Sequence, residues 1–311
     1  MLDNSSIIIV GHRNPDLDSV VSAIVCASLK RKMGEAAEAK IAGEVNKETK
    51  FVLTYFNQET PEVINDVSGK KVFLVDHNAA TQAVAGLNEA ELIGVIDHHC
   101  IGIKTELPIF YRAEPLGSTS TVLAKLFKEN GIAMDQQEAG LLLAGIVSDT
   151  LFFNSPTTTE QDKKIAVELA KTAKVNIEEL ADKIFDAKSD LTGVPIEKIV
   201  GGDVKEFESG NTKFGIGVFE TARPQTAREL DEKIFAEMES FKQKNRLALF
   251  FFFVVDILEK NSVLYLLAEK ETRVAKQIFT AEIQGKIMFL PGIVSRKKQI
   301  LPPLMKAIAD F

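Results

Sequence analysis

The chain is short of several things, and each shortage narrows what it can be. Its 311 residues include only two cysteines, Cys26 and Cys100, too few for a disulfide framework and not spaced as a zinc pair. A reducing cytoplasm is therefore the expected compartment. Long apolar runs are missing. The longest, LALFFFFVVDIL from Leu247 to Leu258, is too short to span a bilayer and carries Asp256 near its end, so it reads as a buried central strand and no membrane partner is expected. The start has Asp3 ahead of its first apolar run and no basic segment, unlike a secretory signal. Basic excess is also absent. Against 37 Lys and Arg stand 44 Asp and Glu, a formal net charge of −7, which argues against broad binding to nucleic acid or anionic lipid. Any cationic site must be local.

What is present is enough apolar material, 45% of the chain, for one large core or two ordinary ones, and the length favours two domains. Up to about Lys188, short apolar runs (SIIIV, KVFLV, LIGVI) alternate with helical stretches: Ser19 to Met33, STSTVLAKLFKENG, and QEAGLLLAGIVSD, the last a helix running into a strand-like turn. Continuous apolar strands between amphipathic helices predict a parallel sheet covered on both faces, an α/β domain over residues 1–188. Beyond it the pattern becomes FGIGVFET, LALFFFFVVDIL and SVLYLLAEK, with a charged helix from Ala227 to Lys244 between the first two. Asp190, Gly193 and Pro195 mark a linker over 189–195, leaving 196–311 as a smaller α/β domain with a mixed sheet.

The apolar runs gain meaning from the residues that come directly after them. IIIV leads into Gly11-His12, Asp16 and Asp18; VFLV into Asp76-His77-Asn78; GVI into Asp97-His98-His99; and LLLAGIV into Ser148-Asp149. All four histidines of the chain fall in these segments, at the edge of a parallel sheet where ligands bind. Five aspartates in one crevice (Asp16, Asp18, Asp76, Asp97, Asp149) repel one another and lose hydration unless a cation compensates them. Imidazoles and carboxylates without thiolate suit Mn²⁺, Co²⁺, Fe²⁺ or Zn²⁺, and so many carboxylates suffice for two metals sharing a bridge. Taken singly, each fragment has a plainer reading. A DxD after a strand is usually a turn, with Asp18 or Ser19 capping the next helix, and a His-His pair can be a structural network. Asp97, just inside its strand, reads as a partner orienting a ligand histidine. A second cluster, Ser295-Arg296-Lys297-Lys298-Gln299, lies between apolar flanks and prolines, and Lys205 follows Gly201-Gly202. A three-residue basic run is ordinarily a solvated patch, but its apolar anchors and the anion-holding fork of arginine fit a phosphate clamp.

Together, GHRNPDLDS, VDHN, DHH, EPLGSTST, SDT and LPGIVSRKKQILPPL resemble the family II inorganic pyrophosphatases of the DHH phosphoesterase superfamily, in order and over nearly the whole chain. The resemblance implies a homodimeric cytoplasmic hydrolase with two Mn²⁺ or Co²⁺ per subunit, additional Mg²⁺ arriving with pyrophosphate, and two lobes closing on the substrate. It assigns His12, Asp16 and Asp76 to one metal, and Asp18, Asp76, His98 and Asp149 to the other, with Asp76 bridging. It assigns His99, Lys205, Arg296 and Lys297 to the substrate phosphates, with His99 the candidate proton donor. It makes 1–188 the DHH metal-binding catalytic domain and 196–311 a DHHA2-type clamp. Two departures stand out: Leu17 where the family usually has Thr, and Val218 to Thr221 where it usually has Gln-Val-Glu/Asn-Thr. Asp18 and Asp76 are too close in sequence to hold the regulatory nucleotide-binding modules of some members. The rival readings are a related DHH exopolyphosphatase or short-oligonucleotide phosphodiesterase, and a metal or phosphate sensor without turnover.

Overall fold

The runs SIIIV, KVFLV and LIGVI each become a strand of one sheet in the computed structural model, which describes residues 6–309. The strands are β1 (Ile7–Val10), β2 (Ala37–Lys40), β3 (Lys71–Val75), β4 (Glu91–Asp97) and β5 (Phe110–Ala113), ordered β2-β1-β3-β4-β5 and parallel throughout. Helices α1 (Leu17–Lys32), α2 (Lys47–Tyr55), α3 (Thr119–Glu129), α4 (Gln136–Asp149), α5 (Glu160–Ala173) and α6 (Ile177–Lys188) complete a unit that ends at Lys188. Helix α1 is buried from Leu17 through Ala27, charged and hydroxyl residues included, because it packs against β1, α3 and α4 at once. A helix covered on all sides shows no clean apolar stripe. The expected α/β architecture is present, with two short strands, β2 and β5, beyond those read from the sequence. Helix α4 runs unbroken to Asp149, without the anticipated strand-like turn, since its apolar residues are buried as a core helix.

Residues 189–195 carry neither helix nor strand, and the second unit begins at Ser189. It contains α7 (Ile196–Gly201), β6 (Val204–Ser209), β7 (Thr212–Thr221), α8 (Pro224–Arg228), α9 (Asp231–Lys244), β8 (Leu249–Asp256), β9 (Asn261–Leu266), α10 (Glu269–Ile278), β10 (Ile283–Gln284), β11 (Ile287–Pro291) and α11 (Leu301–Ala309). The sheet order is β10-β11-β9-β8-β7-β6, and only the β7–β8 pair is parallel. Strand β8 is the central apolar run, and its alternation divides the core. Phe251, Phe253 and Val255 pack on one side with Leu264, Met288 and Leu304, while Phe250, Phe252 and Val254 pack on the other with Ile234, Met238 and Tyr265. The single helix expected over Ala227 to Lys244 is instead two, α8 and α9, interrupted at Glu229 and Leu230.

Candidate metal centre

The loop GHRNPDLDS is a strand-to-helix junction. Pro15 precedes Asp16, whose carboxylate accepts the Ser19 amide at 3.0 Å and caps α1. The cap is therefore Asp16, not Asp18 or Ser19: its extended backbone leaves Oδ1 facing the helix's free amides. Asp18 lies in the first turn, fully buried. Gly11 allows the junction to close, because a Cβ there would sit 1.9 Å from Ser19 Oγ, the group that accepts the His12 amide at 3.1 Å. Asp76 comes directly after β3 with φ +61°, a left-handed conformation uncommon away from glycine and typical of over-determined functional sites.

These turns gather the expected groups of the first unit. His12 Nε2 is 3.5 Å from Asp16 Oδ2 and 3.5 Å from Asp76 Oδ2. His98 Nε2 is 3.5 Å from Asp76 Oδ1 and 3.3 Å from Asp149 Oδ2. Three sets have donor atoms close enough together to hold an ion: His12, Asp16 and Asp76; Asp18, His98 and Asp149; and Asp76, His98 and His99. Asp76 belongs to two of them.

The donors fit a metal for a reason internal to this chain. His98 Nδ1 meets the Leu116 carbonyl at 3.0 Å, and His12 Nδ1 meets the Arg13 carbonyl at 2.9 Å, so in each ring the proton belongs on Nδ1 and the lone pair on Nε2. Yet His98 Nε2 is buried with no hydrogen-bond partner, an orphaned acceptor in the middle of a carboxylate cluster. Asp97 does orient a histidine ring, that of His99, which the resemblance assigns to the substrate phosphates. Its Oδ1 accepts His99 Nδ1 at 2.9 Å and the amides of His98 and His99, while Oδ2 accepts Asn78 Nδ2 at 2.6 Å. His77 stands outside the sets: its Nδ1 meets the Val75 carbonyl at 2.9 Å, and burial drives its pKa down to about 4.

Hydroxyls of EPLGSTST form a cradle whose role is not evident from the motif alone. Asp18 Oδ1 accepts Ser118 Oγ at 2.8 Å and Ser120 Oγ at 2.5 Å, Oδ2 accepts the Thr119 amide at 2.7 Å, and Thr119 Oγ1 donates to Asp76 Oδ1 at 2.8 Å. A signal for it does exist: a string of hydroxyls opening a helix offers both side-chain donors and free amides to a carboxylate. Helix α4 comes so near that a Cβ on Gly145 would be 2.3 Å from Ser120 Oγ and 2.6 Å from Asp18 Oδ1. At its end, Asp149 is followed by Leu151, Phe152 and Phe153, all with positive φ.

The cluster's charges are in conflict. Burial, then the charge of Asp18, holds Asp76 and Asp149 well above the usual carboxylate range. Burial opposes protonation of His12, but hydrogen bonds to Asp16 and Asp76 overcome it and push its pKa up to about 11. Asp16, despite burial, is held below the ordinary value by His12 and the Ser19 amide. Without a metal, His12 therefore holds a second proton on Nε2, as an imidazolium between Asp16 and Asp76, and a metal there would take that proton's place.

In the second unit, Arg296 is fixed by Asp203: Nη1 donates to the Asp203 carbonyl at 2.8 Å and to the Ile216 carbonyl at 3.4 Å, and Nη2 donates to Asp203 Oδ1 at 2.7 Å. Two of its five N–H groups stay unused. Lys205 is paired across the ladder with Ile216, which brings it to the same end of the sheet. Lys297 is exposed in the turn Arg296–Ile300, which Ser295 caps through the Lys298 amide at 3.3 Å. Leu17 is buried in the first turn of α1, and Val218 to Thr221 form the end of β7.

Comparison with known proteins agrees with this arrangement. Residues 6–146 match the DHH family N-terminal domain and residues 182–307 the DHHA2 domain. The chain is 39% identical over 309 residues to the manganese-dependent inorganic pyrophosphatase of Bacillus subtilis, covering 98% of this chain and 99% of the relative. It is 38% identical over 313 residues to that of Methanothrix thermoacetophila, covering 99% of each. A solved Methanococcus jannaschii structure assigned to the family II inorganic pyrophosphatases superposes with a TM-score of 0.65 at 37% identity, covering 97% of this chain and 99% of that one. An exopolyphosphatase-related protein from Bacteroides fragilis, 13% identical with a TM-score of 0.50, shares the fold. A chain with these two domains and relatives this similar along its whole length belongs to the family II, manganese-dependent inorganic pyrophosphatases of the DHH superfamily.

Proposed function

We propose that the chain hydrolyses inorganic pyrophosphate to two orthophosphates at two manganese sites, one held by His12, Asp16 and Asp76 and the other by Asp18, Asp76, His98 and Asp149. The observation that carries this reading is the orphaned, buried Nε2 of His98 among carboxylates that cannot all ionise without a cation. Two such ions, when bound, supply an activated water nucleophile at neutral pH and neutralise charge on the phosphoryl group.

The protein's own residues do the rest. Ser118, Thr119 and Ser120 keep Asp18 and Asp76 in position, so the carboxylates do not reorganise during the reaction. His99, with Nδ1 on Asp97, presents Nε2 to a substrate oxygen as proton donor to the leaving phosphate. Lys205, Arg296 and Lys297 bind phosphate oxygens, Arg296 through the N–H groups that Asp203 leaves unused, and Mg²⁺ accompanies the substrate. The enzyme acts as a cytoplasmic homodimer, with pyrophosphate as its partner and neither nucleic acid nor membrane involved.

The test is phosphate release from pyrophosphate with and without Mn²⁺, alongside polyphosphate and short RNA. Mn²⁺-dependent turnover with pyrophosphate well ahead of both is expected; preference for either polymer would assign the chain to another DHH activity, and Mn²⁺-independent turnover would refute the metal mechanism.

A further inference from the structure

Of the run Ser295 to Gln299, the proposed clamp uses Arg296 and Lys297, yet the last member is tied down as firmly as Arg296 itself. Gln299 Oε1 accepts the amides of Val294 and Ser295 at 3.0 and 2.9 Å, and its Nε2 donates to the Gly292 carbonyl at 2.7 Å. One side chain thus closes the turn that leads into Arg296. At the other end of that arginine, the guanidinium meets the Asp203 carbonyl, the Asp203 carboxylate and the Ile216 carbonyl. These acceptors are themselves fixed by the sheet: the Asp203 carbonyl also takes the Val218 amide at 3.0 Å, and Ile216 is the register partner of Lys205. The Arg296 side chain is 14% exposed and that of Asp203 56%. An ion pair with one partner so open to water contributes little to stability, and the carboxylate offsets charge that would otherwise attract phosphate. What it contributes is geometry. A free arginine gives up its rotamer freedom on meeting an anion, whereas one held in a fork of acceptors has given it up on folding.

We propose that Asp203 and Gln299 are positioning residues for the substrate clamp. Gln299 fixes the main chain entering Arg296 and Asp203 fixes the guanidinium, so that its two unused N–H groups hold one direction before pyrophosphate arrives. Neither residue touches substrate; both act through Arg296. This role rests on the pyrophosphate clamp proposed above.

The experiment is steady-state kinetics with pyrophosphate on the Mn²⁺-loaded full chain, paired with calorimetric binding of methylenediphosphonate, whose bridging carbon resists hydrolysis. Asp203→Ala is expected to raise KM and the methylenediphosphonate Kd about 3- to 10-fold, with a smaller change in kcat. Asp203→Asn keeps an oxygen acceptor and sheds the charge, so it should bring both constants back to the wild-type value or below. Gln299→Met, similar in length but without either polar group, should raise them as Asp203→Ala does. In an Arg296→Met background, Asp203→Ala should shift neither constant by more than about twofold. A carboxylate that only damps the arginine charge predicts tighter binding in Asp203→Ala and Asp203→Asn alike, and a purely structural pair predicts a lower Tm with KM and Kd unchanged; either result would overturn the proposal. Should Gln299→Met fail to fold, the contrast between the two Asp203 variants decides alone. A wild-type chain that neither hydrolyses pyrophosphate nor binds methylenediphosphonate would bring down the clamp and this role together, whereas normal wild-type behaviour with unchanged constants in Asp203→Ala removes only the positioning role.

Discussion

Strands β3 and β8 are both buried apolar runs that lead into an aspartate, and the two aspartates do different work. Asp256 closes β8 by accepting the amides of Leu258 and Glu259 at 2.9 and 3.0 Å, which settles a turn and leaves its charge near solvent. Asp76 follows β3 with a left-handed backbone, buried, its oxygens facing His12, His98 and the Thr119 hydroxyl. The lesson is that an aspartate at a strand end acquires chemical meaning from convergence. In the first unit, parallel strands deliver several such ends to one edge; in the second, β8 has a single parallel neighbour, β7, and β9 on its other side runs antiparallel, so no such set of ends gathers there.

The largest effect separating these regions is catalytic. Asp76→Ala should lower Mn²⁺-dependent phosphate release by on the order of 10³-fold or more, while Asp256→Ala leaves turnover unchanged in the same assay. Equal losses would abolish the distinction. The second unit should instead respond in stability: Phe252→Ala empties a fully buried position and is expected to cost about 3–5 kcal/mol in denaturant unfolding.

Protonation separates the regions again. The folded pKa of His12 is about 11 against an ordinary 6.5, so the metal-free protein holds the full benefit of the imidazolium below pH 6.5 and loses it as pH rises towards 11. Its Tm should fall over that window, and His12→Asn should flatten the fall. Manganese competes with that proton, so Mn²⁺ affinity should climb with pH over the same range; an affinity indifferent to pH would remove His12 from the ligands. The smallest effect concerns the turn after β8, where Asp256→Ala should cost about 1 kcal/mol in a melt, with no change in Mn²⁺ uptake.

The range of each interaction decides how much of the molecule is legible in its sequence. Runs such as IIIV and VFLV are legible because burial on both faces leaves an uninterrupted apolar signature, and the acidic groups are legible because they end those runs. Strand β2, AEAK, is not: beyond the buried Ala37 its side chains are only partly covered, so little in its composition marks it. The break between α8 and α9 carries no mark either, because Glu229 and Leu230 are ordinary helix formers, overridden by packing. At the site, the residue types are visible but their partners are not. The Leu116 carbonyl that orients His98 and the Asp203 carboxylate that holds Arg296 are both supplied by the fold from distant parts of the sequence.

The left-handed turn of Leu151, Phe152 and Phe153 has a consequence for how this chain can change. Each of these bulky residues gives up roughly 1–2 kcal/mol relative to a right-handed conformation, and together they stop α4 directly after Asp149. A helix advances by about 100° per residue, so one residue inserted or deleted between Gly145 and Asp149 would leave one of the two misdirected: the glycine that admits the Asp18 cradle, or the carboxylate beside His98. The segment is closed to changes of length, and substitution is the only kind of variation it can absorb.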